Sequence, residues 1–214
     1  SVKFLKNYLR ENPVDAVIST GPPHSMHLIA LALKRALGVK WIADFRDPWT
    51  FIDFYTQLKI TRWADAKHKR LEGEVLREAD LVTSVSWHWA ADMETLGASK
   101  VEVITNGYDP DDLPSPLEPV DDAFSLLHIG SLSPTRNAPE LWKALKILCD
   151  EDPAFAEKFK LRFGGPVDHT IAESVEQAGL GMHLERTGRV THEEAMRQMQ
   201  RARVLLLLVN DTPN

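Results

Sequence analysis

Trp41-Ile42-Ala43-Asp44-Phe45-Arg46-Asp47-Pro48-Trp49 runs as an apolar strand pattern and then stops in two charged residues, a proline and an aromatic ring. In open parallel sheets, ligands gather outside the carboxyl ends of strands, so charge concentrated at such an exit usually serves a substrate. Arg46 and Asp47 are therefore candidate site residues. The alternative is a plain strand exit in which the two pair locally and Trp49 caps a hydrophobic edge.

Outward from this stretch, apolar runs of strand length alternate with stretches of helical period, the signature of parallel βαβ units. The pattern predicts helix 2–11, strand 15–19, helix 25–37, strand 39–44, a long helix 57–78, strand 81–85, helix 87–96 and strand 101–104, closed by the turn pair Asn106-Gly107. Prolines then recur at 110, 114, 116 and 119 with acids between them, which reads as a linker over 109–122. A second βα series follows: strand 124–129, helix 137–149, strand 160–163, helix 168–178, strand 183–187, helix 192–203 and strand 204–209. The expectation is an α/β chain with two Rossmann-like, doubly wound parallel-sheet domains, 1–108 and 123–214, each incomplete. Because the chain opens on a helix and stops directly after a strand, it reads as a piece of a longer protein.

Composition narrows the function classes. The 214 residues are 43% apolar and 26% charged, ordinary for a globular chain. A net charge of −6 argues against a broad nucleic-acid surface. The single cysteine, Cys149, sits in a helical pattern and reads as a small buried apolar residue, which fits a reducing, cytoplasmic setting. No apolar run has the length of a membrane span.

Three glycine-bearing strand exits in the second half carry a resemblance. Ile129-Gly130-Ser131-Leu132-Ser133-Pro134-Thr135-Arg136-Asn137, then Gly164-Gly165-Pro166, then Gly188-Arg189-Val190 resemble, in order, the donor-site loops of the GT-B glycosyltransferases of family 4 (group 1), which are retaining enzymes. The resemblance implies a nucleoside-diphosphate-sugar donor bound by Gly130, Ser131, Arg136, Asn137, Gly164, Gly188 and Arg189. Glycine at a strand end admits a diphosphate close to the backbone, the next helix N-terminus offers N–H groups, and Arg136 adds a charge-assisted fork. Two positions depart from the family pattern: Ser131 stands where a basic residue is usual, and Arg136 replaces a lysine. In the first half, Asp15 to Ser25 together with Arg46-Asp47-Pro48-Trp49 resemble the subgroup that builds cell-surface polysaccharides, with Arg46 near a position where many relatives carry histidine. There the resemblance implies that Arg46 and Asp47 face a cleft between domains and orient acceptor or sugar. Asn106-Gly107-Tyr108-Asp109 resembles the turn that closes the family's first domain.

The function implied is transfer of a sugar, with retention and no obligatory metal, to a saccharide or lipid-linked acceptor. The family's Glu-x7-Glu segment is expected beyond Asn214, so the piece alone is expected to be inactive. A nucleotide-sugar epimerase of the same fold and a non-catalytic sugar-nucleotide-binding scaffold are the alternatives. Other signals weigh less. His24 and His27 lack a third metal ligand of suitable spacing, and His24 better suits a phosphate contact or a helix cap. Asp109-Pro110-Asp111 reads as a solvated turn, and Trp87, His88 and Trp89 as core packing at a helix start. Thr50 to Tyr55, with the basic run 67–70, suggests either a surface that touches lipid at the inner face of a membrane, a mobile lid, or core burial.

Overall fold

The computed structural model describes residues 1–210. They form two compact units that divide between Gly107 and Tyr108. In the first, strands β1 (Ala16–Gly21), β2 (Lys40–Phe45), β3 (Leu81–Ser84) and β4 (Val101–Val103) pair in chain order, all parallel. Helix α1 (Val2–Glu11) precedes them, and α2 (Ser25–Leu37), α3 (Arg62–Glu78) and α4 (Trp87–Thr95) make the crossovers. Side chains alternate across a strand, so Trp41, Ala43 and Phe45 enter the core with Val75, Leu76, Val82 and Met93, while Ile42 and Asp44 lie half-buried on the other face. Helix α2 ends where Gly38 adopts φ 69 and donates its N–H to the Lys34 carbonyl, a left-handed cap that glycine supplies without steric cost.

The second unit places β7 (Leu184–Gly188), β6 (Phe159–Gly164), β5 (Phe124–Ile129) and β8 (Val204–Leu205) in that order, again all parallel. The chain steps outward from β5 to β6 to β7 and then returns to the far side of β5. That reversal is a topological switch point, where open α/β sheets hold ligands. Helices α5 (Pro139–Glu151), α6 (Pro153–Lys158), α7 (His169–Gln177) and α8 (His192–Arg201) accompany the strands. Trp142, Phe159, Leu161, Phe163, Ile171 and Leu180 are fully enclosed in its core.

Several local expectations change. The long helix expected from residue 57 begins at Arg62, because the Thr61 hydroxyl accepts the Ala64 N–H and caps it there. Ile60 is left outside the helix, and Trp63, expected on its apolar side, is 76% exposed. Helix α6 was not expected; Asp152 caps it through the Ala154 and Phe155 N–H groups, with Pro153 in its first turn. The last strand pairs only over Val204–Leu205, although the Leu206 N–H still reaches the Leu127 carbonyl at 2.7 Å. Trp87 is exposed rather than packed, whereas Trp89 leans on the core. Within the proline-rich stretch, Asp121 is buried and bonded to Arg162 and Arg201, partners 41 and 80 residues away that no local reading reveals.

One carboxylate ties the starts of two strands in the first unit. Asp80 accepts the Trp41 N–H at 2.9 Å, pairs with Lys34 and lies 3.2 Å from Lys40. These contacts, Lys34 foremost, hold its carboxyl down to about 2 from an ordinary 3.8. A lowered folded value means the stabilisation is complete above about pH 4 and disappears as pH falls through about 2. In urea unfolding across a pH series, Asp80→Asn is expected to be less stable than the parent by a constant margin above pH 4, with the two curves converging toward pH 2.

Candidate functional site

The end of β1 and the end of β2 meet in a column of rings. His27 stacks on Phe45 with centroids 4.4 Å apart, and His24 stacks on Trp49 at 5.1 Å. His68 and Tyr55 continue the column. Beneath it, Trp41 Nε1 donates to Ser19 Oγ, which bonds His27 Nδ1, each at 2.8 Å. Burial pushes His27 down to about 4 and also lowers His24, against the Pro48 carbonyl and Asp47, which pull His24 up. Both shifts favour the neutral imidazole.

Pro48-Trp49-Thr50 is held from below. Glu72 of α3 is buried and accepts both the N–H and the hydroxyl of Thr50. Burial raises its carboxyl, opposed by those bonds and by the Trp49 amide. Beside the column, Asp44 accepts from Thr20 at 2.7 Å and from Thr83 at 2.6 Å, one hydroxyl from each neighbouring strand. Arg46 is exposed and its N–H donates to the Gly21 carbonyl at 3.2 Å; Asp47 is half-buried. No ion pair joins Arg46 to Asp47 among the described residues, so the local-pair alternative does not hold.

Of the residues expected there, Arg46 and Asp47 thus lie at one strand edge with Gly21 and His24. His27, Asp44 and Glu72 are additions. Glu72 carried a readable signal, since it lies three and four residues before Val75 and Leu76 on the apolar face of α3. Trp49, Phe51 and Tyr55 are claimed by the core, which leaves Phe54 as the exposed aromatic of that segment.

In the second unit the three glycine loops converge. Ile129, Gly130, Ser131, Gly164, Gly165, Pro166 and Arg189 line a cavity of about 300 Å³ that reaches Thr191 and the start of α8. Gly188 borders an adjoining hollow with Gly165 and Arg186. Backbone bonds carry the sheet past its strands: Gly130 N–H to the Gly164 carbonyl at 2.8 Å and Gly165 N–H to the Gly188 carbonyl at 2.7 Å. Gly165 has φ 119, and a Cβ there would lie 2.4 Å from the Gly130 oxygen, so this contact admits only glycine.

Arg136 and Asn137 stand apart from that cavity. Arg136 Nε lies 3.4 Å from Asn210 Oδ1, beyond the end of β8 and so beside the switch point. Asn137 does not cap α5, because its Oδ1 accepts Trp142 Nε1 at 2.8 Å and the helix opens at Pro139, which has no N–H to offer. Gly130 likewise spends its own N–H within the sheet. Among the described residues no three His, Cys, Asp or Glu side chains converge as a metal site.

Residues 3–107 match the family described as the glycosyl transferase 4-like domain, a span that covers the ring column, Arg46 and Asp47. The first unit belongs to that family. No curated protein matches the chain in sequence. Solved structures resemble it across nearly its whole length. HepE of Anabaena in complex with UDP aligns with a TM-score of 0.69 and 15% identity over 95% of this chain and 55% of that one. Sucrose-phosphate synthase from Thermosynechococcus elongatus aligns at 0.64 with 16% identity, over 95% and 52%. A trehalose-6-phosphate structure from E. coli, bound with UDP-2-fluoro glucose, aligns at 0.64 with 13% identity, over 98% and 56%. The glycosyl transferase 4-like unit and its companion thus have the GT-B architecture. The chain spans about half the length of these structures.

The glycine contacts are testable by comparison. Gly165→Ala is expected to cost about 2–3 kcal/mol in urea unfolding, from backbone strain plus the clash with Gly130. Gly188→Ala also has positive φ, but at 66 it lies in the left-handed helical region and the added carbon meets open space, so it is expected to cost about 1 kcal/mol.

Proposed function

We propose that the chain is part of a retaining glycosyltransferase that moves a sugar from a nucleoside diphosphate to a saccharide or lipid-linked acceptor in cell-surface polysaccharide synthesis. The observation that carries the reading is the cavity where three glycine-bearing strand ends of the second unit meet, with Arg189 on its wall. Glycines leave room for a diphosphate, and α8 directs its N-terminal dipole toward the cavity. Arg189 supplies a cation there, and Arg136, beside the switch point, supplies a second that stabilises the diphosphate as it leaves. Charge on the arginines compensates for the uncharged Ser131, and the reading needs no metal. UDP in the HepE structure and UDP-2-fluoro glucose in the E. coli one support a nucleotide-sugar ligand. On the other unit, Arg46 and Asp47 orient the acceptor, with catalysis supplied mainly by positioning.

Isothermal titration with UDP, GDP and their glucose and mannose conjugates tests the donor site. At least one nucleotide is expected to bind, with Arg189→Ala weakening it tenfold or more, about 1.4 kcal/mol, and Arg136→Ala weakening it less. No binding to any of these nucleotides by a protein that contains this chain in full would overturn the reading.

A lipid-linked acceptor implies peripheral contact with a membrane. No helix among the described residues is long and apolar enough to cross one. Phe54, Leu58, Ile60 and Trp63 are instead exposed along one short stretch, interleaved with exposed Lys59, Arg62 and Lys67, and Lys67 Nζ lies 5.6 Å from the Trp63 ring centre. Aromatic and basic side chains so mixed suit an anionic interface. Co-sedimentation with phosphatidylglycerol vesicles is expected to exceed that with phosphatidylcholine, and Trp63→Ala with Lys67→Ala is expected to abolish the difference.

A further inference from the structure

Trp87 opens α4, the helix that follows β3, and is 73% exposed. The helical period explains why it is not packed. Trp89 leans on the core, and a residue two positions earlier lies about 200° round the helix, on the side away from it. His88 is exposed too but lies 3.7 Å from Asp92, one turn on. Among the described residues the Trp87 indole stacks on no ring and its Nε1–H meets no acceptor.

Parallel pairing places this ring at the ligand edge of the first unit. Gly21 lies opposite Phe45, and Phe45 opposite Ser84, so β1, β2 and β3 leave the sheet in one row. The Ile104 N–H donates to the Ser84 carbonyl at 2.8 Å and brings the exit of β4 to the same row. A crossover helix starts at the carboxyl end of the strand it follows, so Trp87, its first residue, stays at that edge while the rest of α4 runs back. One strand spacing away, about 4.8 Å, β2 exits into Arg46 and Asp47. Exposed Arg46, half-buried Asp47 and exposed Trp87 thus share two neighbouring strand exits.

The chemistry of the three selects a ligand. An anion would be repelled by Asp47 and a cation by Arg46, and a purely apolar surface would have to cover both charges unpaired. A sugar ring meets all three. Its hydroxyls donate to the carboxylate and accept from the guanidinium, while its C–H bonds, slightly positive, lie on the negative face of the indole.

We propose that Trp87 is the stacking platform of a pyranose subsite, with Arg46 and Asp47 as the polar rim that fixes the orientation of the sugar. The occupant is the saccharide acceptor, so the inference deepens the transferase reading and rests on it for that assignment. Stacking favours a pyranose face of axial C–H bonds that no axial substituent interrupts, as in β-glucosides. A methyl α-mannoside has an axial substituent on each face and suits the ring less well.

The test is ¹⁹F NMR on a protein that contains this chain in full, labelled with 5-fluorotryptophan and titrated with methyl β-glucoside, cellobiose and methyl α-mannoside. The resonance missing from Trp87→Phe identifies the residue. The two β-glucosides are expected to shift it saturably, and the mannoside to bind more weakly. By saturation transfer, Trp87→Ala is expected to weaken cellobiose binding about tenfold or more, and Trp87→Phe, which keeps a ring, about threefold or less. The position is exposed, so thermal unfolding of both variants is expected to match the parent. No saturable response of Trp87 to any of the three sugars overturns the site, as does cellobiose binding that Trp87→Ala leaves unchanged. Equal affinity for mannoside and glucoside overturns the stacking geometry. A response of Trp87 to phosphatidylglycerol vesicles and to no sugar overturns the subsite in favour of a membrane contact. UDP and GDP titrated into the same protein report on the cavity of the second unit, so failure of the transferase reading and failure of this subsite are distinct results.

Discussion

In both units every strand runs parallel to its neighbours, and this one constraint places everything else. Parallel strands need a crossover helix between them, so each strand's carboxyl end opens into a loop on the same edge of the sheet. Charged and glycine-rich exits that are scattered along the chain are gathered there. Gly21 and Arg46 come together because β1 and β2 pair in register, Gly21 opposite Phe45. Gly130 and Gly165 come together because β5 and β6 pair with Ile129 opposite Gly164. A register slip of one residue in either sheet would turn that sheet's core face outward and break its own strand-end site.

The two edges are built from different materials. The second unit uses absence of side chains: a glycine whose missing Cβ lets one loop touch the next, and backbone bonds that extend the sheet beyond its strands. What results is an open hollow with an arginine on its wall, suited to a large charged ligand. The first unit uses packed rings joined by hydrogen bonds, with a buried glutamate clamping the loop that follows.

Stability and site share residues in the first unit. Trp41 fills the core, and its indole N–H donates to Ser19 Oγ, which is bonded in turn to His27. Asp80 holds the Trp41 backbone in place. Glu72 keeps a carboxyl group in the interior at a cost, offset by the N–H and hydroxyl of Thr50 in the loop after β2. The charged exit that begins with Arg46 is thus positioned by residues on three different elements.

Local pattern was enough to determine that strands and helices alternate, where a proline-rich stretch divides them, and that Arg46, Asp47, Gly130 and Arg189 occupy strand exits. These follow from side-chain period and from glycine and proline, whose effects act within a few residues. Pattern also started a helix at Asn137, where the fold opens it at Pro139, and left the aromatic segment after Trp49 open between surface, lid and core, which the fold decided for the core at all its rings but Phe54. Trp142 takes the Asn137 oxygen, and the core takes Trp49, Phe51 and Tyr55. The order β7-β6-β5-β8, the burial of Glu72 and Asp121, and the pairing of His24 with His27 over Gly21 were decided by tertiary structure alone. Each depends on which strand lies beside which, or on how a loop and a helix close upon one another, and a sequence carries no local mark of a neighbour that arrives from dozens of residues away.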